Sequence, residues 1–435
     1  MDRVREIALK VLYDVDKNGA YSNISLDEAL RQARKRQERI EPRDVGFISE
    51  IVYGTISWKL TIDEIIKKYS NIRIQKISPW ILNILRMSAY QILFLDKVPK
   101  SAAVNEGVNL AKRYGHKASS NFVNAILRKV SKEDYKAFFE IQNHVERISK
   151  TTSMPMWLVE ELLNENTVEK VEQICQNSNI RPKVCIRVNT LQTDVSTLIE
   201  ELGKQGIQVE KGESENFLFL EGAKNIEKLK CFQEGKFTVQ DEVAGWIPEM
   251  LSPQPNEKVL DACSSPGGKT TYMAELMKNQ GEIKAWDLHE HRVKLVEKAA
   301  SRLGISMIKT EVKDAMLYEE KYAEYFDKIL LDVPCLGIGV LKRKPDIKWK
   351  RKKEDIEEIT KIQEKILENC SKYVKKGGEL VYSTCSILKK ENEDMIYKFI
   401  KNNTNFEIVK LTQVYQNEKA DGFFMAKIRK NEMKA

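Results

Sequence analysis

The chain has 435 residues, and at roughly 150 residues per domain this length suggests two or three domains. Its 42% apolar content is sufficient for hydrophobic cores and excludes wholesale disorder. No run approaches the roughly 18 apolar residues needed to span a bilayer, and the first residues lack the apolar stretch of a signal peptide. We therefore expect a cytoplasmic protein that contacts no membrane.

Cysteine and histidine usage bears on disulfide and metal chemistry. The seven cysteines are scattered and include no C-x-x-C pair, and the chain contains four histidines. An odd number of widely spaced cysteines argues against a disulfide scaffold or a zinc site and suits a reducing compartment. We expect no metal site.

Charge is distributed unevenly along the chain. Residues 1–150 carry 27 Lys and Arg against 18 Asp and Glu, a net charge of +9, whereas the remaining residues carry 45 against 46. A basic N-terminal third joined to a neutral body is typical of a polyanion-binding module attached to an enzyme. A lysine-rich solvated helical surface explains the same charge equally well.

Residues 1–145 show helical periodicity. Ser78-Pro79 predicts a helix start, with serine as the N-cap and proline as the first helical residue. The next helix is predicted to stop at Gly115. Short amphipathic helices of this kind predict an all-α bundle. A polar stretch at 145–155 is the predicted linker.

The remainder of the chain mixes strands and helices. Residues 156–240 contain the strand-like segments Val184–Val188 and Asn216–Leu220, which predict a small α/β subdomain. Over residues 241–435 short apolar strands alternate with helices, which predicts a Rossmann-like α/β domain with a parallel, doubly wound sheet. The helix before its fifth strand is expected to end at Gly377-Gly378.

A glycine-rich turn follows the first strand of this domain. It reads Cys263-Ser264-Ser265-Pro266-Gly267-Gly268-Lys269. Glycines let the backbone approach a ligand closely, and the next helix begins with free N–H groups. A P-loop would need glycine where Cys263 stands, and the dinucleotide fingerprint G-x-G-x-x-G is absent.

Two carboxylates follow the next two strands. Asp287 ends the second strand, where acidic residues of such folds accept the hydroxyls of a ribose, and Asp314 follows the third strand, where it could serve an adenine. Taken alone, each fits a solvated surface position. The glycine turn beside them favours a binding role.

Two cysteines follow the fourth and fifth strands. Cys335 comes after Asp332-Val333-Pro334, and Cys385 comes after Thr384. In an open parallel sheet, ligands bind beyond the carboxyl ends of the strands, so both thiols are expected near the glycine turn. A single buried cysteine is usually a small hydrophobic residue. Two at adjacent strand ends favour catalysis.

Methylation of carbon 5 of a pyrimidine requires such a set of groups. A thiolate that adds to carbon 6 makes carbon 5 nucleophilic, and a carboxyl group near N3 stabilises the charge that develops. Asp332 is the candidate for this carboxyl group. Loss of the carbon-5 proton after methyl transfer then releases the thiol. Spacing does not decide whether Cys335 or Cys385 is the nucleophile.

A basic segment lies between the two cysteines. Residues 342–353 include eight Lys and Arg around Trp349. Phosphates could take the charges while a base stacks on the indole. The alternative is a solvated loop in which Trp349 is a packing anchor.

These motifs resemble those of the RNA 5-methylcytosine methyltransferase (NOL1/NOP2/Sun) superfamily. The matching segments are Asp261–Thr270 for D-A-C-A-A-P-G-G-K-T, Asp332–Cys335 for D-A-P-C, Lys344–Trp349 for H-P-D-I-K-W, Tyr382–Ser386 for Y-S-T-C-S, and the flanking Gln240-Asp241 and Asp421–Phe424. The chain departs from the pattern at Ser264-Ser265 and at Val333. Together these segments are specific, although none is so alone.

The N-terminal third resembles the NusB-like RNA-binding domain that marks the B group of this superfamily. The matching stretches are Leu85–Ile92, Val104–Val108 and Val123–Arg128. The resemblance implies a specific cytosine of 16S rRNA as substrate, either in naked RNA or in a partly assembled small subunit. No obligatory protein partner is evident.

The resemblance also implies S-adenosyl-L-methionine as the cofactor, bound by Cys263–Lys269, Asp287, Asp314 and Asp332. It implies Cys385 as the nucleophile, and we expect Cys335 to assist proton removal or product release. Two alternatives stay open: a methyltransferase acting on tRNA or another rRNA site, and an inactive RNA-binding assembly factor. The NusB-like stretches argue against the first, and the intact glycine turn and cysteines argue against the second.

Overall fold

The computed structural model describes residues 2–36, 40–134, 140–223 and 225–432. The contacts divide the chain into two compact units: Met1–Ile180 with Leu341–Arg351, and Arg181–Val340 with Lys352–Ala435. The domain boundaries expected near residues 145, 156 and 240 stay predictions. Within the described ranges, no helix has the length and apolar character needed to cross a membrane.

The first unit is helical. Over its described residues, the helices that precede the first strand are α1 (Arg3–Asn18), α2 (Ser22–Lys35), α3 (Pro42–Ser57), α4 (Lys59–Tyr69), α5 (Pro79–Phe94), α6 (Lys100–Tyr114), α7 (Lys117–Val130), α8 (His144–Thr152), α9 (Met156–Leu163) and α10 (Val168–Asn177). Leu9, Ile51 and Leu85 are fully buried in a core shared by α1 to α7. This confirms the predicted all-α bundle, in which each amphipathic helix turns one face inward.

Two predicted helix ends are correct in position, although their local chemistry differs from the expectation. Helix α5 begins at Pro79, but the side chain of Ser78 makes no capping hydrogen bond. Helix α6 ends before Gly115, whose φ of −139° is not in the left-handed region. The backbone conformation at Gly115 therefore does not itself require glycine.

Most of the stretch predicted to be a linker, residues 145–155, is helix α8. Asn143 caps this helix by accepting a hydrogen bond from the backbone N–H of Glu146. The hydroxyls of Thr151 and Thr152 donate to backbone carbonyls one turn earlier, at 2.8 and 2.6 Å. The polar residues that indicated a linker are thus satisfied within the helix.

The second unit begins with a small antiparallel sheet in the order β2-β3-β1-β4. Its elements are β1 (Val184–Val188), α11 (Val195–Gly203), β2 (Gln208–Lys211), β3 (Phe217–Glu221), α12 (Lys230–Gln233) and β4 (Phe237–Val239). Ile186 of the central strand pairs with Leu218 and Val239. Both predicted strands are present, and the second begins one residue later than expected.

A seven-stranded sheet forms the body of the second unit, in the order β10-β11-β9-β8-β5-β6-β7. The remaining elements in chain order are α13 (Glu242–Leu251), β5 (Lys258–Asp261), α14 (Gly268–Leu276), β6 (Glu282–Asp287), α15 (Glu290–Leu303), β7 (Ile308–Val312), β8 (Phe326–Asp332), α16 (Ile347–Lys350, in the first unit), α17 (Asp355–Cys370), β9 (Val374–Thr384), α18 (Glu393–Asn402), β10 (Phe406–Val414) and β11 (Phe423–Lys430). The predicted Rossmann-like fold is confirmed.

Two details of this sheet differ from the prediction. Strands β5 to β9 are mutually parallel, but β11 pairs antiparallel with β9 and with β10, so the sheet is mixed. Helix α17 ends at Cys370 rather than at Gly377-Gly378, which lie inside β9. Gly377 has a φ of 73°, and the pairing of β8 with β9 changes register nearby. These glycines therefore allow the irregular backbone conformation at this point of β9.

The segment Leu341–Arg351 belongs to the first unit. The indole N–H of Trp349 donates to the carbonyl of Ile56 at 2.7 Å, and the ring packs against the helical core. The ammonium of Lys348 donates to the side-chain oxygen of Asn179 at 2.6 Å, and burial lowers its pKa to about 7. Trp349 thus has the packing role that was the alternative to base stacking.

Further hydrogen bonds hold this segment to the start of the helical unit. The hydroxyl of Ser22 donates to the carboxylate of Asp346 at 2.6 Å. The ammonium of Lys350 donates to the carbonyls of Gly19 and Ala20 at 2.9 and 2.8 Å. Lys350, one of the basic residues that suggested phosphate binding, therefore forms hydrogen bonds within the protein.

Replacing Trp349 with Phe should loosen the last turn of α3. The substitution removes the donor to Ile56, and a lost hydrogen bond of this kind costs about 1 kcal/mol, roughly fivefold in local opening. Hydrogen exchange at the amides of that turn should accelerate accordingly. Trp246→Phe is the control, since it removes the indole bond to Ser214 within the second unit. Unchanged exchange in Trp349→Phe would contradict the assigned role.

Candidate functional site

The carboxyl ends of four parallel strands meet at one edge of the seven-stranded sheet. Asp261, the last residue of β5, pairs with Leu330 of β8 and with Ala285 of β6. Asp332, the last residue of β8, pairs with Ser383 of β9. The turns that follow these strands therefore lie side by side, as the sequence predicted for an open parallel sheet.

The glycine turn is tied to the neighbouring strand β6. The backbone N–H and the hydroxyl of Ser264 both donate to the carbonyl of Trp286, at 2.8 and 2.9 Å. Gly267 has a φ of 102°, and a Cβ there would lie 3.2 Å from the Cα of Val296. The backbone conformation of Gly267 and its close contact with α15 thus both favour glycine. Helix α14 starts at the next residue.

Asp287 lies next to this turn. Its carboxylate accepts hydrogen bonds from the backbone N–H groups of His289 at 3.3 Å and Ser265 at 3.4 Å, and it lies 3.4 Å from Nε of Arg292. The side chain of Asp314 accepts from the N–H of Met316 at 2.9 Å. Asp287 therefore ends β6 and is held by the glycine turn as well as by its own backbone, whereas Asp314 lies just beyond β7 and is held locally.

A lysine of the glycine turn pairs with the carboxylate at the end of β8. The ammonium of Lys269 donates to Asp332 at 2.7 Å, and the hydroxyl of Ser383 donates to the other oxygen of Asp332 at 2.9 Å. Burial opposes the charge on Lys269, but Asp332 outweighs it and raises the pKa of the lysine, with a smaller contribution from Cys385. Asp332 at the end of β8 is thus joined by an ion pair to the turn after β5 and by a hydrogen bond to the end of β9.

The two predicted cysteines are in contact. The sulfur atoms of Cys335 and Cys385 are 3.1 Å apart. The hydrogen bond to Cys385, together with burial, raises the pKa of Cys335 well above its ordinary value, and nearby Glu391 adds to the effect. The shift favours the protonated form of Cys335, and either sulfur can be the donor in this contact. By contrast, Cys263 packs on the sheet core, and burial raises its pKa too.

The sequence analysis did not single out Asp261 as an ionisable group. It is 1% exposed, and one carboxylate oxygen accepts from the hydroxyl of Thr270 at 2.7 Å. The other oxygen has no hydrogen-bond partner among the described residues. Burial, reinforced by the charge of Asp332, raises the pKa of Asp261 to about 7. In the sequence, the position of Asp261 at the end of an apolar strand was the one indication that its carboxyl group would be buried.

Sequence reasoning also missed Arg187, which lies on β1 of the small sheet. Its guanidinium is fully buried and donates to both carboxylate oxygens of Glu275, to the carbonyl of Gly268 at 2.7 Å, and to the side chains of Thr271 and Gln240. The small sheet is thereby fastened to the first turn of α14. An arginine inside a strand carries no local sign of this role.

Three family models match successive parts of the chain. They are the NusB family over residues 2–132, an RsmF/B-like ferredoxin-like domain over residues 154–227, and 16S rRNA methyltransferase RsmB/F over residues 248–429. The order of these matches follows the order of the helical unit, the small sheet and the seven-stranded sheet.

Individual relatives extend the similarity over nearly the whole chain. A probable ribosomal RNA small subunit methyltransferase B of Bacillus subtilis is 40% identical, over 93% of this chain and 89% of that protein. A protein of the same description from Synechocystis is 33% identical, over 99% of this chain and 100% of that protein. The solved structure of a methyltransferase homolog protein from Pyrococcus horikoshii aligns with a TM-score of 0.60 at 28% identity, over 67% of this chain and 100% of that chain.

The protonation of Asp261 should appear in the pH dependence of stability. In the unfolded chain this carboxyl ionises near pH 4, whereas in the folded protein its pKa is about 7. Between those values the folded protein holds a proton that the unfolded chain has lost. Its stability should therefore fall as pH rises through this window and level off above it.

Asp261→Asn should lack this contribution. Relative to the wild type, its free energy of unfolding should rise between pH values of about 4 and 7, by roughly 1.4 kcal/mol for each unit of pKa shift. Denaturant titrations without added ligand measure the difference. Glu290→Gln, which alters an exposed carboxylate, should not show this trend. Parallel profiles for Asp261→Asn and the wild type would contradict the buried, protonated state.

Proposed function

We propose that this chain, which belongs to the 16S rRNA methyltransferase RsmB/F family, transfers a methyl group from S-adenosyl-L-methionine to carbon 5 of a cytosine in 16S rRNA. The observation that carries the proposal is the pair of thiols, Cys335 and Cys385, 3.1 Å apart at adjacent strand ends. Asp332 precedes the first thiol and lies opposite Ser383 of the next strand. Thiol-dependent methylation of a pyrimidine uses a nucleophilic sulfur and a carboxyl group in such proximity.

The residues at the glycine turn fit S-adenosyl-L-methionine. The turn offers the backbone N–H groups at the start of α14, and Asp287 is an acceptor for ribose hydroxyls at the end of β6. The side-chain nitrogen of Gln240 and one oxygen of Asp261 are buried and have no partner among the described residues. Such atoms suit a site that a polar ligand completes. When bound, this cofactor supplies an electrophilic methyl group.

Cys385 is assigned as the nucleophile because the family resemblance gives that role to the cysteine that follows Thr384. The raised pKa of Cys335 fits this assignment, since a protonated thiol in contact with a thiolate can donate to it. The positive charge of Lys269 lies close enough to Cys385 to interact with it. Both effects favour a reactive sulfur at Cys385.

The remaining steps follow from the groups around this sulfur. The sulfur of Cys385 bonds to carbon 6, and the electron pair of the C5–C6 double bond becomes available at carbon 5. The Lys269–Asp332 pair carries a transferable proton, which Asp332 passes to N3 of the ring to neutralise the negative charge that develops there, while Ser383 orients the carboxyl group. After methylation the carbon-5 proton passes to solvent with the assistance of Cys335, and the electron pair of that C–H bond re-forms the C5–C6 double bond. The sulfur–carbon bond breaks at the same time, its electron pair returns to the sulfur of Cys385, and N3 gives its proton back to Asp332.

The helical unit is assigned to RNA binding. Residues 2–132 match the NusB family, and the first 150 residues carry the net charge of +9. Basic surfaces neutralise phosphates and release counterions, which gives affinity without sequence discrimination. Relatives named as small subunit methyltransferases point to ribosomal RNA as the substrate.

Asp287→Ala should weaken binding of S-adenosyl-L-methionine by about 1–3 kcal/mol, because ribose hydroxyls would lose their acceptor. Isothermal titration calorimetry of the full-length protein measures this loss directly. Glu290→Ala is the matched control, since that carboxylate lies three residues further on and pairs with Lys294 at the surface. Unchanged affinity in Asp287→Ala would remove this residue from the site.

The two cysteines should give opposite results when each is removed. Cys385→Ala should abolish methylation and any covalent RNA adduct, because the attacking sulfur is gone. Cys335→Ala should form the adduct and then stall, which leaves a protein–RNA band on denaturing electrophoresis. Cys231→Ala, which alters a buried cysteine on α12, should behave as the wild type. A trapped adduct in Cys385→Ala and none in Cys335→Ala would reassign the nucleophile.

Asp332→Asn should slow formation of the adduct rather than its breakdown. The amide keeps the shape of the side chain but cannot carry the proton or the charge that stabilises N3. Single-turnover experiments that follow adduct and product separately distinguish the two steps. An adduct that forms at the normal rate but persists would place Asp332 in the release step instead.

A further inference from the structure

A buried carboxylate connects the two loops that carry the cysteines. Glu391 is 0% exposed and lies just before helix α18. One of its oxygens accepts from the backbone N–H of Leu336, the residue after Cys335, at 3.0 Å. Its other oxygen accepts from the hydroxyl of Ser386, the residue after Cys385. A single side chain thus contacts the residue that follows each thiol.

Neighbouring residues reinforce this connection on the Cys335 side. The amide of Gln363, on α17, donates to Glu391 at 3.0 Å and to the carbonyl of Pro334 at 2.9 Å. Pro334 and Leu336 flank Cys335, so both neighbours of this cysteine are held by one buried pair of side chains. Gln363 is itself fully buried.

The residue after Glu391 reinforces the Cys385 side. Asn392 accepts from the hydroxyl of Thr384 at 2.6 Å and donates to the carbonyl of Ser386 at 3.1 Å. The hydroxyl of Tyr382 donates to the carbonyl of Glu391 at 2.8 Å. Both neighbours of Cys385 are therefore anchored to the Glu391-Asn392 pair.

We propose that Glu391 is a positioning residue that holds the loops of Cys335 and Cys385 together, so that their sulfur atoms stay in contact. The negative charge of Glu391 also favours the neutral form of Cys335. It acts on the two thiol loops through Leu336 and Ser386. The effect of Glu391 on catalysis rests on the proposed function, whereas its effect on the position and pKa of the thiols is independent of that function.

Thiol alkylation tests this inference without RNA or cofactor. The full-length protein is treated with iodoacetamide over a range of pH, and modification of each cysteine is followed by peptide mass spectrometry. In Glu391→Gln, the midpoint of Cys335 alkylation should fall by about one pH unit, because a nearby negative charge is lost. Ser386→Ala keeps the charge of Glu391, so the midpoint of Cys335 alkylation should not change. The substitution removes the anchor of the Cys385 loop, so Cys385 should be alkylated severalfold faster.

Glu379→Gln is the matched control. That glutamate is also largely buried and pairs with Lys328, Lys427 and Arg429, but it lies in the middle of β9, away from both cysteines. It should leave both alkylation profiles as in the wild type. If Glu391→Gln instead raised the alkylation rate of both cysteines at every pH without moving the midpoint, the substitution would have caused only a loss of packing, and the assignment would be overturned.

Wild-type profiles in Glu391→Gln, or the same shift in Glu379→Gln, would overturn the assignment. A wild-type protein that shows the predicted alkylation pattern but methylates no RNA would contradict the proposed function and leave the role of Glu391 intact. With active protein, Glu391→Gln should lower kcat and leave the KM for the methyl donor unchanged, since the glycine turn is not altered.

Discussion

One buried guanidinium connects the small sheet to the turn on which the candidate site is built. Arg187 reaches the carbonyl of Gly268, 81 residues later, and forms a two-point ion pair with Glu275. Breaking a buried pair of this kind by removing one partner costs on the order of 3–5 kcal/mol, because the other charge is left without compensation. The start of α14 is consequently fixed from outside the seven-stranded sheet.

The chemistry of the site depends on the low exposure of the strand ends. Lys269 and Asp332 form a charged pair, whereas burial favours the protonated form of Asp261, and the hydrogen bond to Cys385 together with burial favours that of Cys335. These groups lie within one small region, so each charge affects the others. The region therefore places a charged pair beside groups that favour their neutral forms.

Several features of the fold could be predicted because they are encoded locally. Pro79 begins a helix since its ring suits the first turn, and the apolar runs of β5 and β8 are buried strands, as their composition indicates. Gly377-Gly378 misled the prediction because two lysines followed by two glycines are also typical of a helix end. Pairing of Val374 and Glu379 with β8, on either side of these residues, draws the segment into a strand. The antiparallel β10 and β11 likewise depend on partners distant in sequence.

The sequence by itself determined which chemical groups end the strands, since a carboxylate or cysteine at such a position must lie at the carboxyl edge of a parallel sheet. Tertiary structure alone decided that Cys335 and Cys385 touch, that Lys269 pairs with Asp332, and that Trp349 packs in the helical unit. These contacts join segments up to several hundred residues apart. No local pattern specifies such distances, because they result from the packing of whole elements.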